Sequence, residues 1–221
     1  RFEEIRNALE TALQTCDIVL LNAGSSAGRE DYSAEVIRTI GGVLYHGIAM
    51  KPGKPAILGF RDAKPILGVP GYPVSGIIVL EEILKPLITE WYRTAQQEEV
   101  HAVATLSRSV VSGLKYEEFV RVRMGRVGEK LIASPLNRGS GVVSSFIKAD
   151  GLLRIPQGVE GYEAGEQVSV RLLRRKEELD RMLVAIGSHD PLLDEVADLL
   201  HSMDPSLYMS SSHVGSMGGI M

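Results

Sequence analysis

A loop of small residues at positions 23–28 has the composition of a phosphate-binding turn, and we call it the glycine loop. An apolar run at 18–21 precedes it, and a segment with helical periodicity follows it. This order predicts a strand, a loop and a helix N-terminus. The loop contains Gly24, Ser25, Ser26 and Gly28. Because glycines let a ligand approach the backbone amides and a helix N-terminus favours anions, the loop predicts an oxyanion site. A tight turn without a ligand is the alternative.

Two further turns carry residues that suit the same chemistry. Residues 51–55, Lys51-Pro52-Gly53-Lys54-Pro55, place two cations on a stiff turn, which we call the lysine turn. Residues 70–75, Pro70-Gly71-Tyr72-Pro73-Val74-Ser75, join a predicted strand to a predicted helix and form the proline turn. In a parallel sheet the ends of such strands lie along one edge, so we expect all three segments to converge there. Two solvated surface lysines are the alternative interpretation of the lysine turn.

These motifs, in this order and spacing, resemble the molybdopterin molybdenumtransferase family, which includes the MoeA-type enzymes and the E domain of gephyrin. The resemblance rests on G-x-S-x-G-x-x-D-Y at 24–32, K-P-G-K-P at 51–55 and P-G-x-P-V-S at 70–75. Two positions depart from the family pattern. Ala23 stands where a glycine is more common, and Tyr72 stands where asparagine is usual.

The resemblance implies an enzyme that inserts molybdate into adenylylated molybdopterin and releases AMP in a Mg²⁺-dependent reaction. It implies a cytoplasmic homodimer, catalytic roles for Asp31 and Lys51, and Asp31 as the Mg²⁺ ligand. Mg²⁺ accepts one or two carboxylates together with phosphate oxygens, whereas capping of the helix that begins near Tyr32 is the alternative role of Asp31. The implied substrate-binding residues are Gly24, Ser25, Ser26, Gly28, Lys54, Pro70, Gly71, Pro73, Ser75, Arg121 and Ser140.

The pattern of apolar residues changes near position 96 and predicts two different folds. Before it, helical patterns (2–13, 32–40 and from Pro73 towards Trp91) alternate with short apolar runs, which predicts an α/β unit, a three-layer αβα sandwich, over residues 1–95. Pro86 should kink or end the last helix. From 101 to 174, alternating residues cut by glycines predict a small all-β barrel-like domain over 96–174. There Arg121 either faces the site or pairs with Glu117 or Glu118.

Residues 175–221 predict a linker and the start of a third domain. A charged run at 174–178 favours a linker or a helix start, and it precedes a predicted strand at 182–186 and a helical pattern at 192–200. The tail at 210–219 resembles the start of the periplasmic-binding-protein-like domain that is fused to some prokaryotic members of the family. We therefore expect that domain to be truncated, as we expect the α/β unit to be truncated at its N-terminus.

The overall composition is that of an ordinary globular protein. The 221 residues are 44% hydrophobic and 24% charged, with a formal net charge of −4. This balance does not indicate binding to nucleic acid or to anionic membranes, and no apolar run reaches the roughly 18 residues of a membrane-spanning helix. The single cysteine, Cys16, excludes an internal disulfide and fits a reducing compartment; beside a predicted strand, we expect it to be buried.

Two other functions share part of these features. The related molybdopterin adenylyltransferase contains the same α/β unit, but it lacks a region like 101–174. A non-catalytic module that binds an oxyanion or molybdopterin, or that acts as a scaffold as in gephyrin, is the other alternative. The presence of Asp31, Lys51 and the serines of the glycine loop favours catalysis over scaffolding.

Overall fold

The computed structural model describes residues 2–22, 32–95, 98–136, 138, 143–188, 190–204 and 207–213. The chain forms two compact units. The first contains residues 1–97 with 140–143, and the second contains 98–139 with 144–221. The three-domain division at 95 and 174 stays a prediction.

The first unit is a mixed sheet covered by helices. Its elements are α1 Phe2–Thr15, β1 Val19–Asn22, α2 Ser33–Ile40, β2 Gly42–His46, β3 Met50–Lys51, β4 Ile57–Arg61, β5 Lys64–Val69, α3 Pro73–Val79, a π-helical segment Leu80–Leu84 and α4 Lys85–Tyr92. The four-stranded sheet has the order β1-β5-β4-β2. Strands β1 and β5 are parallel, whereas β4 runs antiparallel to both β5 and β2. The predicted α/β class is confirmed, but the sheet is not purely parallel.

Packing on both faces of this sheet explains the layered arrangement. On one face, Leu9 and Leu13 of α1 share a buried cluster with Val36 and Ile37 of α2 and with Ile66 of β5. On the other face, a Cβ added to Gly76 of α3 would lie 3.5 Å from Val69 Cγ1. Ile66 and Val69 are three positions apart on β5 and therefore point to opposite faces. The sheet thus lies between two helical layers.

The start of the chain confirms one prediction and corrects another. The amphipathic helix predicted at 2–13 is α1, which extends two residues further to Thr15. Cys16 is exposed, not buried. The reason is that α1 ends at Thr15, so Cys16 lies in the turn that follows the helix and outside its apolar stripe.

The helix that begins at Pro73 does not end at Pro86. A proline inside a helix lacks an N–H group and its ring clashes with a carbonyl of the preceding turn. Here the segment Leu80–Leu84 takes π-helical hydrogen bonding just before the proline. Pro86 then occupies a first-turn position of α4, where a missing N–H is tolerated, and helical structure continues to Tyr92.

The second unit is built on a closed five-stranded barrel. Its elements are β6 His101–Leu106, β7 Val110–Val111, β8 Glu117–Val127, β9 Lys130–Pro135, α5 Val143–Ile147, β10 Gly151–Ile155, β11 Gly161–Tyr162 and β12 Gln167–Leu172. The barrel order is β10-β12-β6-β9-β8, and β8 pairs back with β10. Buried side chains such as Val120, Val122, Met124, Leu153 and Val170 fill the interior. The predicted barrel-like domain is confirmed.

The last part of the described chain contains the predicted strand and helix. Its elements are α6 Lys176–Asp180, β13 Met182–Gly187, α7 Pro191–Met203 and β14 Tyr208–His213, and β13 is parallel to β14. Asp190 caps α7, because its carboxylate accepts a 2.9 Å hydrogen bond from the Leu192 amide. The likeness to a periplasmic-binding-protein-like domain stays a prediction. Within the described ranges, none of the helices combines the length and the hydropathy that crossing a bilayer requires.

Candidate functional site

Three chain segments leave the sheet of the first unit at the same edge. Strands β1, β2 and β5 run in one direction, because β1 is parallel to β5 and β4 is antiparallel to both β5 and β2. These strands end at Asn22, His46 and Val69. They are followed along the chain by the glycine loop, the lysine turn and the proline turn. The three strand ends therefore lie along one edge, although the sheet is mixed. The convergence of the three segments themselves stays a prediction, because the glycine loop lies outside the described residues.

Gly53 anchors the lysine turn on helix α3. Its φ is +120°, and an added Cβ would lie 2.5 Å from Met50 Cε and 3.1 Å from Val79 Cγ2. The Gly53 carbonyl accepts a 3.0 Å hydrogen bond from the Ala56 amide. Gly53 is buried, whereas Lys51 and Lys54 on either side of it are exposed. The turn therefore presents two exposed lysines on a backbone that packs against helix α3.

Gly53→Ala is expected to lower the free energy of unfolding by about 1–3 kcal/mol, because an L-residue at this φ is strained and the added methyl group crowds Val79. The Met50 methyl group can swing aside, so most of the cost comes from the backbone. Thermal melts of the variant and the wild type measure the effect.

Gly128→Ala is the control for this variant. Gly128 has a φ of +59°, and nothing lies within 4 Å of an added Cβ. Replacing it by alanine should lower the free energy of unfolding by about 1 kcal/mol, which is the penalty of a left-handed backbone conformation alone. Equal melting temperatures for Gly53→Ala and the wild type would show that the lysine turn tolerates a side chain at position 53.

The proline turn divides into a buried and an exposed part. Pro70 and Ser75 are buried, whereas Gly71 and Pro73 are exposed. The Gly76 amide donates a 2.9 Å hydrogen bond to the Tyr72 carbonyl and closes the first turn of α3. Of the predicted substrate contacts in this turn, Gly71 and Pro73 thus lie at the surface, and Ser75 packs inside.

Arg121 lies on strand β8 of the second unit. Its side chain is only 3% exposed, and burial lowers the pKa of its guanidinium. The proposed alternative partners of Arg121 pair with other arginines: Glu118 lies 3.1 Å from Arg138, and Glu117 lies 2.5 Å from Arg154. A buried guanidinium suits a planar oxyanion. A role for Arg121 in anion binding stays a prediction.

Several predicted site residues lie outside the described residues. They are Gly24, Ser25, Ser26, Gly28, Asp31 and Ser140. Within the part of the chain that the structure describes, no group of three or more His, Cys, Asp or Glu side chains could hold a metal ion. A Mg²⁺ site at Asp31, which lies outside those residues, stays a prediction.

One buried polar cluster was not predicted from the sequence. Asp150 is 1% exposed; its carboxylate accepts hydrogen bonds from the Met124 amide (2.9 Å) and from Arg174 Nε (2.7 Å). Burial raises the pKa of Asp150, while the Met124 amide, Arg123 and Arg174 act in the opposite direction. Because 24 positions separate Asp150 and Arg174, no local pattern reveals the pair.

A surface cavity of about 380 Å³ opens at the other edge of the first unit's sheet. The end of α1 and the β4–β5 turn form it, and Lys64 Nζ donates a 2.6 Å hydrogen bond to the Leu13 carbonyl beside it. Its walls are Glu10, Leu13, Gln14, Arg61, Asp62 and Lys64. The cavity lies where β5 begins, so it is separate from the strand ends that carry the predicted site.

Two known protein domains match separate parts of the chain. Residues 1–90 match the family described as "Probable molybdopterin binding domain", and residues 103–173 match "MoeA C-terminal region (domain IV)". The chain belongs to the MoeA family. The two matches follow each other along the chain as the α/β unit and the barrel do.

Curated relatives support the same assignment. The chain is 36% identical over 172 residues to "Putative molybdopterin biosynthesis protein MJ0666" of Methanocaldococcus jannaschii, covering 78% of this chain and 40% of the relative. It is 27% identical over 171 residues to the molybdopterin molybdenumtransferase of Bacillus subtilis, covering 76% and 40%. The chain thus spans about two fifths of the length of these relatives.

Solved structures of MoeA proteins share the fold. A molybdopterin biosynthesis MoeA protein from Pyrococcus horikosii superposes with a TM-score of 0.62 at 34% identity, over 77% of this chain and 41% of that one. A molybdenum cofactor biosynthesis protein from Pyrococcus furiosus gives 0.59 at 33% identity, over 76% and 53%.

Proposed function

We propose that this chain is part of an enzyme of molybdenum cofactor biosynthesis that inserts molybdate into adenylylated molybdopterin and releases AMP. The observation that carries the proposal is the common edge of the sheet: β1, β2 and β5 end there, and each is followed by one of the family's motifs. Phosphate and molybdate are both oxyanions, so one edge that presents lysines and a glycine-rich loop suits both substrates.

The proposed roles follow from the charge and the position of each group. Lys51 and Lys54 are exposed on a fixed backbone and bind the phosphate or the molybdate through charge-assisted hydrogen bonds. The glycine loop binds a phosphate through its amides and through Ser25 and Ser26. Asp31 holds Mg²⁺, which when bound supplies positive charge to the phosphate oxygens.

The remaining proposed roles concern the second unit and the assembly. Arg121 of the barrel unit binds the substrate, and Ser140 is a further substrate-binding residue. The protein acts in the cytoplasm as a homodimer, and the slightly acidic charge balance supports small-molecule substrates over nucleic acid. The barrel at 103–173 supports the molybdenumtransferase over the adenylyltransferase.

The assay that tests the proposal measures AMP release from adenylylated molybdopterin, with and without molybdate. We expect AMP to form only when both molybdate and a divalent cation are present. Binding of the nucleotide without any release would favour a non-catalytic module. Formation of adenylylated molybdopterin from molybdopterin and ATP would favour the adenylyltransferase.

Lys51→Ala is expected to weaken the binding of molybdate and of adenylylated molybdopterin by about ten- to a hundredfold, because a charge-assisted hydrogen bond contributes about 1.5–3 kcal/mol. The melting temperature should hardly change, since an exposed lysine contributes little to stability. Binding titrations together with thermal melts measure both quantities.

Lys85→Ala is the matched control for Lys51. Lys85 is also an exposed lysine of the first unit, but it lies on α4, 3.2 Å from Glu81. Its removal should leave oxyanion affinity unchanged. If Lys51→Ala binds as tightly as Lys85→Ala, the anion site lies elsewhere and Lys51 is a surface lysine.

A further inference from the structure

The chain between Lys176 and Gly187 lies beyond the residues that match the MoeA C-terminal region, which end at 173. It nevertheless packs on the barrel, because α6, β13 and β14 all contact strand β8. Its anchors converge on one short stretch of β8, residues 124–126. The same strand carries Arg121, to which the proposed function gives a role in anion binding.

Apolar anchors join this segment to the buried cluster of the barrel unit. Leu179 is 2% exposed and Met182 is buried, and both belong to the cluster that contains Met124. On strand β13, Val184 lies where a side chain of residue 125 would be: a Cβ added to Gly125 would be 1.8 Å from Val184 Cγ2. Strand β13 therefore approaches β8 as closely as only a glycine permits.

Polar contacts bind the same stretch of β8. Arg126 pairs with Asp180 at 2.8 Å. Just before α6, Arg174 donates to Asp150, whose other carboxylate oxygen accepts a hydrogen bond from the Met124 amide. Asp150 thus links the backbone of β8 to the start of the segment.

The alternation of side chains along β8 relates these anchors to Arg121. Val120, Val122 and Met124 point into the barrel core, so Arg121 and Gly125 both lie on the outer face. Arg121 and Gly125 are four positions apart, which corresponds to roughly 13 Å at the rise of an antiparallel strand. The face on which β13 docks is therefore the face that carries Arg121.

We propose that Leu179, Met182 and Val184 form a clamp that positions strand β8, and with it Arg121, for binding an oxyanion. We call these three residues the β8 clamp, and each is a positioning residue that does not itself touch the anion. The inference rests on the proposed role of Arg121. It extends the machinery of the barrel unit to a segment outside the family match.

Two pairs of matched variants test the β8 clamp in the full chain. Leu179→Ala is compared with Leu199→Ala on α7, which is 59% exposed; Val184→Ala is compared with its neighbour Leu183→Ala, which is 46% exposed. The pair Val184→Ala and Leu183→Ala is the milder one, and it provides the test if Leu179→Ala does not fold. For each variant, hydrogen exchange of the amides at 122–126 and the affinity for molybdate are measured at a temperature where the protein is fully folded.

We expect the clamp variants to lose about tenfold or more of the exchange protection of these amides, since local opening follows local packing. Their affinity for molybdate should fall about three- to tenfold, because a small displacement of a positioned charge weakens binding. Leu199→Ala and Leu183→Ala should match the wild type in both measurements. The double variant Arg121→Gln/Val184→Ala should bind no more weakly than Arg121→Gln, a result that general destabilisation would not produce.

The outcomes separate this inference from the proposed function. Unchanged exchange protection in the clamp variants overturns the clamp itself. Reduced protection with unchanged affinity, while Arg121→Gln weakens binding, overturns the positioning role and leaves the proposed function standing. If Arg121→Gln binds molybdate as the wild type does, the proposed role of Arg121 fails and the positioning inference fails with it.

Discussion

Asp150→Ala lowers the free energy of unfolding of the barrel unit by about 3–5 kcal/mol, the expected cost of removing one partner from a buried ion pair. The carboxylate is 1% exposed, and it accepts hydrogen bonds from the Met124 amide and from Arg174. Its removal takes away a negative charge that offsets the charges of Arg174 and Arg123, and burial already lowers the pKa of Arg123. Chemical denaturation of the variant and the wild type measures the loss.

Asp180→Ala is the matched control for Asp150. Asp180 also pairs with an arginine, Arg126, at 2.8 Å, but both side chains are at least 40% exposed. An exposed pair contributes only about 0–1 kcal/mol, so the two aspartates should differ severalfold in effect. A loss for Asp150→Ala as small as that for Asp180→Ala would mean that water reaches Arg174 and replaces the carboxylate.

Asp31→Asn is expected to abolish Mg²⁺-dependent AMP release while leaving the melting temperature unchanged. Asparagine keeps the shape of the side chain and one oxygen, so the variant removes only the charge that Mg²⁺ requires. The motif G-x-S-x-G-x-x-D-Y places this carboxylate just past the glycine loop. Turnover is measured at limiting and at saturating Mg²⁺.

Glu35→Gln is the matched control for Asp31. Glu35 is an exposed carboxylate in the first turn of α2, four positions after Asp31. Its neutralisation should leave turnover and its Mg²⁺ dependence unchanged. If Asp31→Asn turns over at the wild-type rate at limiting Mg²⁺, Asp31 does not bind Mg²⁺, and only its alternative role as a helix cap is left.

The sequence by itself determined the elements that depend on neighbouring residues. The 3.6-residue period predicted α1, α2 and α7. Helices α1 and α2 each bury one stripe of their own side chains, whereas no residue of α7 is buried. The β4–β5 hairpin followed from the polar run at 61–65, and in the structure Arg61 pairs with Lys64 across a two-residue turn. The spacing of the three motifs pointed to the MoeA family, which the domain matches show.

The tertiary structure alone decided what depends on distant residues. The pairing of β4 with β2 on its other side depends on residues far along the chain, and no pattern within β4 encodes it. Ser75 is buried because helix α3 packs against the sheet. The exposed position of Cys16 follows from the end of α1 at Thr15.

The barrel unit shows the same division most clearly. Periodicity predicted its short strands, yet Asp150 meets Arg174 only because β10 and β12 are neighbours in the closed sheet. Likewise, the sequence alone presents Gly125 as one of several glycines that interrupt the strands. The structure shows that Val184 of β13 occupies the space where a side chain of residue 125 would lie. A local pattern records which face of an element is apolar, whereas long-range packing decides which residue covers that face.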